Sequence, residues 1–244
     1  MLATLFLLVC SALAYDHSPW QEALDKYRSP SGRVDYASLA GTGALDAYIS
    51  GLASTTLPAD KSEQMALWVN AYNAITVDLI AKNWPVSSIR EIDDGKVWTT
   101  RRFTVAGQSL TLDQIEKQKL AAMGDPRVHV VLNCASLGCP PLGAVAMSKA
   151  NIEAQLNQAT RQWISGSGVT IKADTRQVQL SEIFDWYADD FPASTSQVIP
   201  GIEPRLQGPL QFIARHLAQP HAQLILAGGY HAQFIPFDWK VNAP

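Results

Sequence analysis

Apolar positions recur at helical spacing in several parts of the chain, and the clearest case is one long helix. Residues 60–63, Asp-Lys-Ser-Glu, form a capping box before an apolar stretch that continues to about Asn83. Trp84-Pro85 then ends the helix, because the residue before a proline avoids the helical conformation. Further helices are predicted near residues 19–28, 45–52, 113–120, 152–163, 181–191 and 210–217.

Other stretches alternate or consist of short β-branched runs, which is typical of strands. Hairpins are predicted over residues 98–112 and 169–180, a core strand over Val128 to Asn133, and a last strand from His231 to Phe237. The irregular order of helices and hairpins, with little βαβ alternation, predicts an α+β fold. We expect a single domain with helices packed on a small, mostly antiparallel sheet, an arrangement that includes the papain-like and transglutaminase-like folds.

Composition supports one ordinary globular domain, which we place at residues 15–244. The chain has 244 residues, of which 47% are hydrophobic and 17% are charged. Its net charge of −3 and the lack of a Lys/Arg cluster argue against binding to nucleic acid. No phosphate-binding or dinucleotide-binding glycine pattern is present, so no cofactor is predicted.

The first fourteen residues, MLATLFLLVCSALA, are apolar and end in Ala-Leu-Ala. This pattern predicts a signal peptide over residues 1–14 and therefore a periplasmic or secreted protein with no integral membrane segment after processing. Cleavage would remove Cys10 and leave Cys134 and Cys139. An even number of cysteines in an oxidising compartment makes a disulfide the first expectation.

The densest group of reactive residues lies in the segment 125–142, DPRVHVVLNCASLGCPPL. If residues 128–133 form a strand, His129 and Asn133 point to the same face. Cys134 follows immediately and Cys139 lies five positions later. The segment is therefore either a thiol site or a turn held by a disulfide. A metal site is not predicted, because the tight Cys-x-x-Cys spacing usual for zinc is missing.

A thiol nucleophile here needs a lowered pKa, since an ordinary cysteine has a pKa near 8.5 and is mostly protonated at pH 7. His129 or a helix N-terminus would lower it. The alternative, a Cys134–Cys139 bridge, would stabilise the fold by about 2 kcal/mol through loop entropy. A reversible redox pair is the third possibility. Sequence spacing decides among none of these.

Two amides in the long helix, Asn70 and Asn73, lie three residues apart in an apolar segment. Buried amides need fixed hydrogen-bond partners. They either hold a neighbouring loop or line a cleft, where Asn73 would contact substrate. Trp68 on the same helix is a candidate substrate contact, with core packing as the alternative.

The segment SEIFDWYADDF, residues 181–191, contributes further candidates. Asp185 is either a solvated carboxylate or the group that orients an imidazole. Trp186, next to it, is a candidate substrate contact. His231 on the last predicted strand is the second choice as general base if His129 is packed in the core.

Several motifs together resemble the domain-of-unknown-function 547 family, whose members are exported bacterial proteins and the C-terminal part of some plant and nematode proteins. They are GRVDY at 32–36, LWVNAYNA at 67–74, LTLDQIE at 110–116, the segment 125–142, IFDWYADDF at 183–191 and FDWKVN at 237–242. The resemblance draws attention to Asp238 besides the residues above, but it implies no activity. Family members often carry a histidine where this chain has Lys117.

The leading hypothesis is an exported, thiol-dependent hydrolase or acyltransferase, similar to a cysteine peptidase, that acts on a peptide or amide. Cys134 would be the nucleophile and His129 its base. Asn133 or the amides of the following turn would stabilise the oxyanion, and Asn70 or Asp185 would orient the imidazole.

Two other functions stay open. One is a non-catalytic periplasmic binding domain stabilised by a Cys134–Cys139 disulfide, and the other is a thiol oxidoreductase. In each case the expected partner is a peptide or a small molecule. The sequence fixes neither the substrate nor the oligomeric state, and it leaves open whether the protein is an enzyme.

Overall fold

The long predicted helix is the centre of the fold in the computed structural model, which describes residues 14–244. It runs as α4 (Lys61–Lys82), and the Asp60 carboxylate caps it by accepting from the backbone N–H groups of Ser62 and Glu63. All of its residues from 66 to 77 are buried. A helix that is apolar on every side requires neighbours on every side, so the other elements surround α4.

Ten further helices are described. Their bounds are α1 Ser18–Tyr27, α2 Tyr36–Leu39, α3 Asp46–Leu52, α5 Val97–Thr100, α6 Leu112–Gln114, α7 Val128–Val131, α8 Ile152–Ile164, α9 Ile183–Trp186, α10 Pro204–His216 and α11 His221–Ala227. A π-helical segment (Ile115–Leu120) continues α6, and one turn of 3-10 helix (Ala188–Asp190) follows α9.

Within residues 14–244, five short strands form two small sheets, so the predicted α+β class is confirmed. β1 (Phe103–Val105) and β2 (Gln108–Leu110) form an antiparallel hairpin. β3 (Val169–Lys172) and β4 (Gln177–Ser181) form a second one. β5 (His231–Ile235) adds to β4 in parallel, with α9, α10 and α11 in the connection. Such a pairing needs a long crossover, and the three helices provide it.

Two clusters of buried apolar side chains stabilise the fold, and α7 contributes to both. Val128 and Val131 pack into the larger cluster around α4. Val130 packs into the smaller cluster around β3, β4 and α10. His129 therefore lies on a helical turn that is clamped between two cores.

The predicted strand over 128–133 was wrong, because residues 128–131 form α7. Asp125 accepts a hydrogen bond from the Arg127 backbone N–H, and Asp125-Pro126 starts a helical turn. The Leu132 N–H then bonds to the Val128 carbonyl. The valine-rich composition favoured a strand, but packing against two cores outweighs that preference. His129 and Asn133 consequently do not share a strand face.

The two buried amides of α4 bind backbone. The Asn73 side chain donates to the Val131 carbonyl (2.9 Å) and accepts from the Asn133 N–H (2.9 Å). Asn70 makes the same double contact with the backbone of Met147, at 2.8 and 2.9 Å. Asn73 thereby fixes the end of α7 and the start of the segment that carries both cysteines.

The predicted signal peptide lies outside the described residues, except for Ala14. No helix within residues 14–244 has the length and hydropathy of a membrane-spanning segment.

Replacing Asn73 by alanine should lower the free energy of unfolding by about 2–4 kcal/mol, because it leaves a buried N–H and a buried carbonyl without partners. Urea unfolding measures this change. Gln162→Ala is the control, since Gln162 is an exposed amide on α8 and its loss should change stability by less than about 0.5 kcal/mol. If Asn73→Ala lowers stability as little as Gln162→Ala does, the two hydrogen bonds of Asn73 do not hold this segment in place.

Candidate functional site

A pocket of about 250 Å³ opens where α4, the π-helical segment, α7 and α9 meet the end of the chain. It contains an imidazole, carboxylates, a disulfide and many aromatic rings. Its lining residues are Tyr72, Trp98, Asp113, Glu116, Lys117, His129, Leu132, Cys134, Cys139, Ile183, Trp186, Tyr187, Phe237 and Trp239. The volume is slightly below the roughly 300–1,000 Å³ of ordinary ligand pockets, so it suits a small molecule or one side chain.

The His129 ring lies in the pocket wall with its side chain only 1% exposed. Its Nε2 is 2.8 Å from Asp190 Oδ2. A carboxylate only accepts, so Nε2 carries the proton and donates it. The ring of Tyr187 stacks on the imidazole with centroids 4.0 Å apart and planes inclined by 20°. The histidine is therefore fixed in orientation by Asp190 and shielded from solvent by Tyr187.

The other ring nitrogen, Nδ1, has no hydrogen-bond partner among the described residues. The closest carboxylate oxygen is Glu116 Oε1 at 4.0 Å, which is too far for a hydrogen bond. Glu116 is itself buried, and its Oε2 accepts from the Tyr72 hydroxyl at 3.1 Å. Two acceptors, the buried Nδ1 and Oε1, thus lie close together without a hydrogen bond between them.

Burial lowers the pKa of His129 below its ordinary value of 6.5, while the nearby charges of Glu116 and Asp190 raise it and offset part of that effect. The imidazole is therefore neutral at pH 7. With Nε2 protonated, Nδ1 is the free acceptor. Burial, together with the charge of Glu116, also raises the pKa values of Tyr72 and Tyr187, so both phenols stay protonated.

Cys134 and Cys139 are joined by a disulfide. Both lie in the cysteine loop (residues 133–140), and both line the pocket. Cys134 is partly exposed whereas Cys139 is buried, with 7% of its surface accessible. Cys134 is therefore the more accessible residue of the bridged pair.

The cysteine loop is held by hydrogen bonds that do not involve the disulfide. The Asn133 side chain donates to the Pro140 carbonyl at 2.8 Å and accepts from the Ala135 N–H at 2.8 Å. On the outer side, the backbone of the C-terminal segment (residues 237–242) bonds the loop through Leu137 N–H to Lys240 O and Gly138 N–H to Asp238 O, among others. The disulfide is one of several constraints on this loop.

Two backbone features of the loop restrict its sequence. Ala135, directly after Cys134, has φ of 62°, a left-handed conformation that costs about 1–2 kcal/mol outside glycine. A Cβ on Gly138 would lie 2.8 Å from the Phe237 ring and from the Asp238 nitrogen. Only glycine lets the C-terminal segment pack so close to the disulfide.

That close packing places an aromatic wall (Trp98, Trp186, Phe237 and Trp239) on the side of the pocket near solvent. Trp186 stacks on Trp239 with centroids 5.7 Å apart, and Phe237 contacts both rings. Trp186 is 43% exposed, which is unusual for so large an apolar side chain. The wall can hold a ligand group against its ring faces.

Five of the sequence-predicted residues lie outside the pocket lining or bind within the fold. Asn70 and Asn73 bond backbone as described, and the Asn133 amide is used inside the cysteine loop. Trp68 is buried in the core. Asp185 forms an ion pair with Arg205 at 2.7 Å, so Asp190 takes the place we predicted for Asp185 or Asn70 beside the imidazole.

The remaining predicted residues divide between the pocket and the surface. His129, Cys134, Cys139 and Trp186 line the pocket together. His231 is exposed on β5, outside the pocket lining. Asp238 caps its own turn by accepting from the Lys240 N–H at 3.0 Å. Lys117, at the position where the family often has histidine, lines the pocket and pairs with Asp113 at 2.6 Å.

Sequence reasoning missed Glu116, Tyr187 and Asp190 as members of the site. Glu116 closes the motif LTLDQIE, and the other two lie in IFDWYADDF. Both motifs supported the family resemblance, and that was the available signal. Within residues 14–244, no group of three or more His, Cys, Asp or Glu side chains has the geometry to hold a metal ion.

The buried His129 and the partly buried His17 should make stability pH-dependent. Burial lowers the folded-state pKa of His129 below 6.5 and that of His17 to about 4. Below pH 6.5 the unfolded chain therefore binds protons that the folded chain does not, so stability falls as pH falls.

Below pH 6.5, we expect the free energy of unfolding of the wild type to fall relative to that of His129→Gln, by up to about 1.4 kcal/mol per pH unit. Urea unfolding between pH 7.5 and 5 measures this stability difference. His17→Gln is the matched comparison, and its effect should extend to lower pH because the folded-state pKa of His17 is about 4. A difference independent of pH would show that folding does not lower the pKa of His129.

Comparison with known proteins gives one match. Residues 57–164 match the model of the family described as "Protein of unknown function, DUF547". Neither curated proteins nor solved structures gave a match. The matched segment contains Tyr72, Glu116, His129 and both bridged cysteines, which form the inner half of the pocket. The predicted resemblance is thereby confirmed: residues 57–164 of this chain match the DUF547 family.

Proposed function

We propose that the protein is an exported thiol–disulfide oxidoreductase whose Cys134–Cys139 bond exchanges with a thiol substrate in the pocket. The observation that carries this proposal is that the disulfide lines the same pocket as an imidazole with a free acceptor nitrogen. Export is supported by the apolar residues 1–14.

The exposure of the two sulfurs suggests their order of reaction. A substrate thiolate attacks the accessible Cys134 sulfur, the bond to Cys139 breaks, and Cys139 leaves as a thiolate. A second substrate thiolate then attacks the substrate sulfur bound to Cys134 and releases the Cys134 thiolate. Two substrate thiols are oxidised to a disulfide, and the protein disulfide is reduced to two thiols. A small-molecule disulfide restores the oxidised protein by the reverse steps.

His129 serves as proton carrier in both steps. Neutral at pH 7, it accepts the proton of the incoming thiol at Nδ1 and returns it to the departing cysteine sulfur. Asp190 is a positioning residue, because its hydrogen bond to Nε2 keeps the lone pair on Nδ1.

The hydrogen bonds of the cysteine loop support a chemical role for the disulfide. Asn73, Asn133 and the C-terminal segment hold this loop without the bond. The loop would therefore keep its shape when the bond opens. Reversible exchange needs such a loop, since both sulfurs must stay close enough to pair again.

A second candidate function is the thiol-dependent hydrolase or acyltransferase. The Asp190–His129 arrangement favours it, because a carboxylate that orients an imidazole is the usual partner of a nucleophile in acyl transfer. This activity would require Cys134 as a free thiol. The same cysteine variants separate the two functions.

In glutathione redox buffers, we expect the wild-type disulfide to open and close reversibly while the protein stays folded. Cys139→Ser should form a stable mixed disulfide between Cys134 and glutathione. Cys134→Ser should not form one readily, since Cys139 is buried. Alkylation followed by mass spectrometry counts each species.

Two outcomes would contradict the redox proposal. A bond that opens only after the protein is unfolded by urea would identify a structural disulfide and favour the binding domain. Rapid, His129-dependent hydrolysis of an activated ester by Cys139→Ser, with no glutathione exchange in the wild type, would favour the hydrolase.

Asp190→Asn should slow the reaction of the oxidised protein with glutathione about tenfold at pH 7. It should also move the break in the pH–rate profile to lower pH, because the Asp190 charge raises the pKa of His129. Asp189→Asn is the control, as Asp189 is the exposed neighbour. An unchanged break in the Asp190 variant would remove His129 from the mechanism.

A further inference from the structure

We infer that the pocket binds an organic ammonium group, with Glu116 as its counter-ion and the aromatic wall around it. The inference rests on the proposed function only in taking this pocket as the substrate site. It identifies the substrate class as molecules that carry a primary amine.

Glu116 is a buried carboxylate without a cationic partner among the described residues. Its side chain is 12% exposed, and the nearest group that could carry a positive charge is His129, at 4.0 Å. The imidazole is neutral at pH 7, as argued above. A buried, unpaired carboxylate is costly, and a bound cation would offset that cost.

Among the described residues, no lysine or arginine forms an ion pair with Glu116, although Lys117 is near enough to feel its charge. Lys117 is held by Asp113 at 2.6 Å, so that pair is neutral. Asp190 adds a negative charge on the far side of the imidazole. Arg90 lies over the Trp239 ring, 5.1 Å from its centroid, and is not part of the pocket lining. The pocket itself therefore favours a positively charged occupant.

The aromatic rings suit the same occupant. Tyr72 and Tyr187 join the aromatic wall in lining the pocket. Ring faces attract cations, most strongly those of tryptophan. The Arg90 guanidinium already uses the ring of Trp239 in this way. Aromatic faces around one carboxylate form a recurrent site for ammonium groups.

The geometry of Glu116 favours an ammonium over a guanidinium. Its Oε2 accepts from Tyr72 at 3.1 Å, which leaves Oε1 as the oxygen available to a ligand. A guanidinium binds best to both oxygens of a carboxylate, whereas an ammonium is a point charge that needs one. The small volume of about 250 Å³ also suits an unbranched alkylamine or a lysine side chain. Nδ1 of His129 stays available for proton transfer.

The test uses the oxidised wild-type protein at pH 7 with butylammonium as probe, followed by tryptophan fluorescence and calorimetry. We expect saturable binding, at least tenfold weaker binding of the isosteric neutral 1-butanol, and weaker binding of butylguanidinium. Glu116→Gln should weaken butylammonium binding at least tenfold, and Trp186→Leu several-fold. Glu22→Gln is the control, since Glu22 is exposed and outside the pocket lining.

Trp186→Leu keeps the test valid if Glu116→Gln fails to fold, because Trp186 is 43% exposed. Equal binding of 1-butanol, or unchanged binding in both variants, would overturn the inference. If butylguanidinium binds more tightly than butylammonium, the pocket prefers a guanidinium, and the inference of an ammonium site is overturned as well. A lysyl peptide that binds more tightly than butylammonium identifies a peptide as the source of the amine.

The probe contains no sulfur and leaves the disulfide closed. Ammonium binding without thiol exchange would therefore refute the proposed function and keep this inference. Thiol exchange without ammonium binding would refute this inference and keep the proposed function.

Discussion

The site depends on the double hydrogen bond of Asn73 to the backbone of Val131 and Asn133. At Leu132 the chain leaves the helical conformation (ψ 129°), so a carbonyl and an N–H lose their helical partners inside the core. One carboxamide provides both missing partners. It therefore fixes, from a single point on α4, the imidazole that precedes this position and the cysteine that follows it.

The same helix also orients the carboxylate. Tyr72, the neighbour of Asn73, donates to Glu116 on the π-helical segment. The C-terminal segment closes the other side, where Asn242 donates to Asn133 Oδ1 at 3.1 Å and accepts from the buried Tyr36 hydroxyl at 2.7 Å. Residues far apart in sequence thus determine one pocket, and each of its polar walls is supported by a buried amide or phenol.

Because the pocket is formed by residues far apart in sequence, only some elements of the fold and of the site could be predicted from local sequence patterns. Local signals found α4, because its capping box and the following Trp-Pro pair lie at its ends, and they found both hairpins. Local signals failed for α7, where two packed cores override the strand preference of valine. They failed for Asp190 because α9 stops at Trp186 and a 3-10 turn follows, which changes the face on which each aspartate lies. The parallel pairing of β5 with β4 depends on the three-helix crossover, which no local pattern encodes.

The charges of the pocket explain why its imidazole is suited to proton transfer. Burial lowers the pKa of His129, and the negative charges of Glu116 and Asp190 offset part of that shift. The opposed effects leave a neutral ring with a usable lone pair. Asp190 fixes which nitrogen carries that lone pair, while Glu116 stays too far away to bond it. Because Tyr72 rather than His129 bonds to Glu116, Oε1 of the carboxylate and Nδ1 of the imidazole both stay without a hydrogen-bond partner among the described residues. Separate partners for the imidazole and the carboxylate would thus allow one small pocket to perform both proposed tasks, binding a cation and moving a proton.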